Sequence, residues 1–388
     1  MKIAAICIVL AVFLSGCIFS GTEGSFQFSS PVIGKNGEVF VNTSDRIYSF
    51  TSGSDSGKTI FSFEPGEGEW FSCAPSVDSD GNLHIGTTKG RVLKISPEGD
   101  LNWSFGGNEM EGVSAIRGSP SFDQSGNVLY GAYDGALYCL SSDGQELWSF
   151  DTGREIWSKP AVGRDGTIYF GTMVTGGQQS NRLYALKNGE LLWIFETVAT
   201  SSGFYSSPAV GSDGTVYSTC HDGFLYALDP TDGSLKWELR LAEDGEDSSI
   251  ASSPIVGEGD KLFVCTYGGV CSAINNEGEV IWSTNLQNEI VSTPVSCSNG
   301  VLYVIGRGEA RLFQLNTVDG TLERSDHIGN DSLGSPVMSQ GGTLYYAVTL
   351  NDIGGRSRLG SLTTNSSPSG SWPMFGHDHN RSGRQEGF

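Results

Sequence analysis

Five histidines, at positions 84, 221, 327, 377 and 379, are the residues best suited to proton transfer or metal ligation near neutral pH. They are scattered, and only His377 and His379 stand close enough in sequence to share an ion. A structural zinc site takes four ligands, so this pair reads as part of a solvated tail. Hard cations prefer oxygens at alternate positions, and Asp78-Ser79-Asp80-Gly81-Asn82 offers them. The same slot is Gly163-Arg164-Asp165-Gly166 and Gly211-Ser212-Asp213-Gly214 elsewhere, so a recurrent turn accounts for all three copies better than calcium does. The sequence contains no Gly-x-Ser-x-Gly elbow, no phosphate-cradling glycine loop and no His-Glu-x-x-His pair. No catalytic residue and no metal ligand is expected.

Binding is better represented than catalysis. Between the strand-like runs stand side chains that turns do not require: Trp70, Phe71, Arg117, Tyr133, Arg154, Trp157, Phe204, Tyr205, His221, Tyr267, Arg307, Arg311 and His327. Aromatic and arginine residues concentrate binding energy at interfaces, and loops carried by a rigid scaffold are a common site plan. Of these, the eight residues Trp70, Arg117, Tyr133, Arg154, Trp157, Tyr205, His221 and Tyr267 are the candidate binding face. A formal net charge of −21 argues against a nucleic-acid binder, which would rely on a basic surface.

The amino terminus points out of the cytoplasm. Lys2 precedes an apolar run from Ile3 to Leu14, too short for a membrane span of ~20 residues and suited to a signal-peptide core. Leu14-Ser15-Gly16-Cys17 follows and resembles a lipobox, which implies cleavage before Cys17, lipid on its thiol and a stable two-chain anchor. Residues 1–16 are then a signal peptide and 17–24 a short tether, placing the protein on the outside of a membrane, at a cell surface or periplasmic face. Of the remaining cysteines, Cys265 and Cys271 flank Gly268-Gly269 and are the tempting disulfide in an oxidising compartment. A two-residue hairpin loop there would pair Thr266 with Cys271 and turn Cys265 to the opposite face, which weighs against the bridge.

The elements that position these residues come from a repeat. Eight of the 13 prolines, Pro31, Pro75, Pro120, Pro160, Pro208, Pro254, Pro294 and Pro336, recur at separations of 40–48 residues, and Trp103, Trp148, Trp193, Trp237 and Trp282 at 44 or 45. The clearest copy runs Ser207-Pro208-Ala209-Val210, Asp213-Gly214, Val216-Tyr217, Asp222-Gly223, Phe224 to Leu228, Asp232-Gly233, Leu235-Lys236-Trp237. Asp-Gly between apolar runs is a strong hairpin signal, and 54 glycines, about twice the usual share of ~7%, suit many turns. Each copy therefore gives four short strands, A to D. Strand C is apolar on both faces. Strand D alternates, with Leu235, Trp237 and Leu239 expected inward and Lys236 and Glu238 outward. Sheets greasy on both sides must bury one another by stacking. An all-β, eight-bladed propeller of four-stranded antiparallel blades follows, with a seven-bladed ring carrying one degenerate copy as the alternative. The last copy lacks a D strand, and residues 25–28, Ser25-Phe26-Gln27-Phe28, are expected to supply it by pairing near Leu359–Thr363.

The Ser-Pro, Asp-Gly, Leu-Tyr-Ala-Leu, Asp-Gly, Trp phrase resembles the repeat of quinoprotein-like (PQQ-like) β-propellers across residues 25–363. The polar tail, 364–388, contains Trp372-Pro373-Met374-Phe375-Gly376-His377-Asp378, which is similar to a segment common in that family. The lipoprotein propellers of the barrel-assembly machine are the nearest functional analogues. The resemblance implies that the D-strand tryptophans Trp103, Trp148, Trp193, Trp237 and Trp282 dock between blades, with Phe61 and Phe26 as weaker equivalents and Arg324 as a departure. Quinone-dependent dehydrogenases of the same fold imply a vicinal Cys-Cys pair and a calcium site. The first is missing from this sequence, so neither PQQ nor calcium is expected. The implied function is an exported, membrane-anchored, non-catalytic scaffold for other envelope or surface proteins. A quinone, small-ligand or glycan binder, or a degenerate dehydrogenase, is the alternative.

Overall fold

The computed structural model describes residues 30–51, 58–62, 68–106, 115–173, 180–198, 203–241, 250, 252–350, 357–364, 366–378 and 382–385, together with the backbone of 15–19. It contains eight four-stranded antiparallel sheets, one per proline-headed repeat. In blade 5, strands A to D are Ala209–Val210, Val216–Thr219, Phe224–Leu228 and Leu235–Arg240. The D–A and B–C loops lie on one face of the ring, called the loop face below, and the A–B and C–D turns on the other. The eight-bladed reading holds.

The ring closes through an amino-terminal strand, but not the expected one. Ser15–Phe19 pairs antiparallel with Ser357–Thr363, Cys17 opposite Leu359. Residues 25–28 lie outside the described residues. Cys17-Ile18-Phe19 is a more continuous apolar, β-prone run than Ser25-Phe26-Gln27-Phe28, and it suits the seat beside strand C.

The D strands depart from simple alternation. Ala227 pairs with Trp237 but Leu228 with Leu235, a bulge repeated at the same C–D position in blades 2 to 7 and placed two residues earlier on strand C in blade 1. The extra residue rotates the strand beyond it, so Leu235 is 45% exposed instead of inward. Leu101, Leu191, Val280 and Leu322 are exposed at the equivalent place.

The same bulge aims each tryptophan at its neighbour. A Cβ added to Gly144, Gly189, Gly233, Gly278 or Gly320 would come within 2.6–3.0 Å of the indole of Trp103, Trp148, Trp193, Trp237 or Trp282 respectively. Each indole thus lies on the C–D turn of the next blade. Four of them also donate to a carbonyl in or beside that turn: Trp103 to Ser142 at 3.0 Å, Trp193 to Pro230 at 2.9 Å, Trp237 to Asn276 at 2.9 Å and Trp282 to Thr317 at 3.2 Å. Arg324 now has a reason. Blade 8 takes its outer strand from the amino terminus, so it has no C–D turn for a blade 7 tryptophan to cover, and Arg324 instead meets Asp326 at 2.6 Å.

The tail is not a solvated extension. Strand A of each blade is innermost, and its free edge faces the central channel. Residues 368–378 and 382–385 run along those edges. Ser369 N–H bonds to the Ser296 carbonyl, Trp372 and Val256 exchange backbone bonds at 2.8 and 3.0 Å, Phe122 N–H reaches Ser382, and Val162 N–H reaches Gly383. The Gln385 amide donates to the carbonyls of Val210 and Gly211. Trp372 and Met374 are buried. The segment satisfies inner edges of blades 3 to 7 and stops the channel at the end away from the loop face.

Candidate functional site

With one end of the channel stopped, the other becomes a cavity of about 510 Å³ that opens on the loop face. Its floor includes Phe375 from the tail, and its wall is a belt of residues that each precede a blade's first proline. The belt is continuous over half the ring. Lys159 N–H donates to Ser207 Oγ at 3.0 Å, Ser207 N–H to Ser253 Oγ at 3.0 Å, and Ser253 N–H to Thr293 Oγ1 at 3.2 Å. Thr293 N–H then donates to Ser335 Oγ at 2.9 Å and Ser335 N–H to Ser30 Oγ at 2.8 Å. A proline cannot donate from its own nitrogen, so these hydroxyls tie blade to blade where the A strands begin.

Above the belt, five of the eight sequence candidates line the mouth: Arg117, Trp157, Tyr205, His221 and Tyr267. Tyr133 stands directly behind them. Tyr133 stacks on Trp157 with centroids 5.0 Å apart and planes 9° apart, Trp157 meets Tyr205 at 5.3 Å, and Tyr205 meets His221 at 5.4 Å. The Arg117 guanidinium lies 5.9 Å from both the Tyr133 and Trp157 rings and donates through Nε to the Tyr133 hydroxyl at 3.0 Å. Cation–π geometry of this kind keeps an arginine extended without neutralising it. Carboxylates orient the arc from behind: Glu155 accepts from Trp157 Nε1 at 2.8 Å and Glu289 from the Tyr267 hydroxyl at 2.9 Å. Burial lowers the His221 pKa, so the ring is neutral near pH 7.

Two candidates stand apart. Trp70 is 48% exposed on the loop face and does not line the cavity. Arg154 is turned inward and buried, its guanidinium given to the Ser180 carbonyl and, at 3.4 Å, the Ser180 hydroxyl. A loop arginine can be spent on a neighbouring strand end, which spacing alone does not reveal. Two more cations line the cavity, Arg307, which is one of the loop residues noted in the sequence, and Lys159, which is not. Arg307, in the blade 7 B–C loop, sits 3.6 Å from Asp331 and 3.4 Å from the Tyr267 hydroxyl. Lys159 is 2% exposed and reaches Ser76 Oγ at 2.9 Å and the Pro120 carbonyl. The available signal was the break in the repeat, because Lys159-Pro160 stands where other copies have Ser-Pro.

Cys265 and Cys271 are bonded to each other. The loop between them is longer than two residues: Thr266 N–H bonds to Val270 and Gly269 N–H to Thr266, so Cys265 and Cys271 face one another directly. The expected opposition of faces rested on the shorter loop. The bridge holds the hairpin that carries Tyr267.

The acidic turn at 78–82 is committed to structure. Asp78 accepts from the backbone N–H of Asp80 and Asn82, from His84 Nε2 at 3.0 Å and from Lys94 Nζ at 3.1 Å. Burial alone would raise the Asp78 pKa. The His84 hydrogen bond and charge, the Asn82 N–H and Lys94 outweigh it and hold the carboxyl well below the usual range. A carboxylate depressed on folding adds stability above its unfolded pKa of about 3.9 and loses it as pH falls toward the folded value. Asp78→Asn should therefore cost a constant amount of stability above about pH 5, and the gap from the parent should narrow toward pH 2.5. Urea midpoints across that range check it.

Among the described residues, no aspartate or glutamate lines the cavity, and adjacent cysteines do not occur in the sequence.

Comparison with known proteins agrees with the fold and places the repeats. The family model described as outer membrane protein assembly factor BamB matches residues 88–275. Proteins of that name from Nitrosomonas eutropha (30% identical over 26% of this chain and 22% of theirs), Moranella endobia (27%, 46% and 52%) and Yersinia pestis (28%, 40% and 45%) are similar to it. The chain spans about half or less of the length of these relatives. The crystal structure of BamB from Moraxella catarrhalis superposes with a TM-score of 0.63 at 15% identity, covering 90% of this chain and 97% of that one. A europium-containing methanol dehydrogenase superposes at 0.71 with 12% identity, covering 91% and 92%, a likeness of fold alone. The chain is an eight-bladed β-propeller whose repeats are similar to those of BamB over residues 88–275.

Proposed function

We propose that this PQQ-like propeller is a non-catalytic scaffold of the cell envelope that holds partner proteins on its loop face and uses no cofactor. The observation that carries the reading is the arc of Tyr133, Trp157 and Tyr205 with Arg117 against it. Half-buried aromatic and arginine groups, fixed by neighbouring blades, are the composition of an interface anchor. The relatives' name, an outer membrane assembly factor, agrees with partners in the envelope. The expected result is that Trp157→Ala with Arg117→Ala loses the partners that the parent recovers from crosslinked membranes while keeping the parent's melting temperature within a few degrees. Equal recovery would remove the reading.

Anchoring belongs to the same proposal. Cleavage before Cys17 would remove Ser15 and Gly16 from the closing strand and leave Cys17–Phe19, with the lipid at the outer edge of blade 8. The Cys265–Cys271 bridge suits an oxidising compartment. Cys17→Ser should move the protein from the membrane to the soluble fraction, and retention there would count against lipidation.

A further inference from the structure

We propose that an aliphatic patch on the rim of blades 6 and 7, made by Val280, Ile281, Val318 and Leu322, rests on the same bilayer that holds the lipid of Cys17 and so turns the loop face away from the membrane. This deepens the anchoring reading and rests on it.

A lipid on Cys17 starts at the ring itself. Cys17 pairs with Leu359 of strand C in blade 8, so no free chain separates the acyl groups from the rim, and the bilayer touches the molecule beside that blade. Blades 7 and 1 flank the point. On blade 1 the exposed residues of strand D are Lys58, Thr59 and Ser62, all polar. On blade 7 they include Leu322, and Val318 in the C–D turn is 68% exposed, the most of any large apolar side chain among the described residues. That turn lies on the face opposite the loops.

The patch continues onto blade 6. Trp282 donates to the Thr317 carbonyl and its indole lies on Gly320, so Val280 and Ile281, just before Trp282, border Val318, just after Thr317. Exposed aliphatics at the start of strand D recur round the ring, but the turn beside them differs. Two residues before the turn glycine stand Pro97, Ser142, Lys187, Thr231, Asn276 and Val318 in blades 2 to 7, and only blade 7 puts a large aliphatic there. The other exposed aliphatic cluster, Leu191, Leu192 and Ile194 of blade 4, stands across the ring from the lipid. Exposed apolar patches mark protein or membrane contacts. A small one suffices here, because acyl chains already hold it at the surface and two weak membrane signals act together. Glu277, Glu279, Asp319 and Glu323 flank the patch and are exposed, which suits a zwitterionic lipid surface better than an anionic one.

The test uses the lipidated chain purified from membranes and reconstituted in phosphatidylcholine vesicles. Val318→Cys, Ile281→Cys, Leu147→Cys and Leu191→Cys are made singly and labelled with the fluorophore NBD, while Cys73, Cys139, Cys220 and Cys297 are buried and stay unlabelled. Spin-labelled lipid should quench the probes at 318 and 281 by roughly threefold or more over those at 147 and 191, on blades 3 and 4. Two probes on the patch keep the test open if one variant misfolds. Flotation with the vesicles reads the anchoring separately. A chain that floats with all four probes quenched alike, with none quenched, or with 147 and 191 quenched more strongly keeps its anchor and overturns the patch. A chain that does not float overturns both.

Discussion

Replacing Trp193 by alanine should lower the unfolding free energy by about 3–5 kcal/mol, the usual cost of emptying a buried tryptophan site. Its indole is 6% exposed, covers the C–D turn of blade 5 and donates to the Pro230 carbonyl at 2.9 Å. The contact can be broken from the other side. Gly233 has φ +73, and a Cβ there would meet the indole at 2.6 Å. Gly233→Ala therefore carries both the left-handed backbone cost of roughly 1–2 kcal/mol and a steric clash. The clash disappears once the indole is gone, so the double variant should be less destabilised than the two single losses added together. Strict additivity in denaturant midpoints would mean that the two residues do not share a contact. By contrast, Arg324→Trp should add no stability, because no C–D turn of blade 8 awaits it.

Truncation after Thr364 should have an effect of similar size by a different route. It would expose the surfaces that Trp372 and Met374 bury and leave inner-edge backbone groups of blades 3 to 7 without their partners. Losses for tryptophan and methionine sites of this kind are about 3–5 and 2–5 kcal/mol, so a drop of about 5 kcal/mol or more is expected. Hydrogen exchange should localise it. The amides of Phe122, Val162, Val256 and Ser296, which bond to the tail, should lose protection first, while strand C amides such as those of Leu225 to Leu228 keep theirs. Uniform loss across the blades would show that the tail is needed for the ring to form at all, and no loss would show that it merely rests there.

The repeat was legible because its signals are local. Asp-Gly turns, proline at the head of strand A and tryptophan in strand D each constrain a few neighbouring residues, and their recurrence gave eight blades. What escaped was set by one-residue differences or by distance along the chain. The D-strand bulge places one extra residue between Leu235 and Trp237 and reverses the exposure of Leu235. The loop between Cys265 and Cys271 shifts the register by one and makes a bridge where the shorter turn forbids it. Trp372 buries itself against blade 6 more than 100 residues earlier, and no local pattern marks a tail for that. The candidate site was half visible for the same reason. Arg117, Tyr133, Trp157, Tyr205, His221 and Tyr267 converge because the D–A and B–C loops share a face. Arg154 does not join them, and Lys159 lay unnoticed in the proline-headed slot it shares with the serines.

Site-specific photo-crosslinking compares the two faces of the ring most directly. A photoreactive residue placed at Trp70 or Tyr205 probes the loop face, and one at Val318, 68% exposed in a C–D turn, probes the opposite one. Partner adducts from Trp70 and Tyr205, with none from Val318, are the predicted result. Adducts from Val318 alone would contradict it and move the binding surface to the far side of the ring.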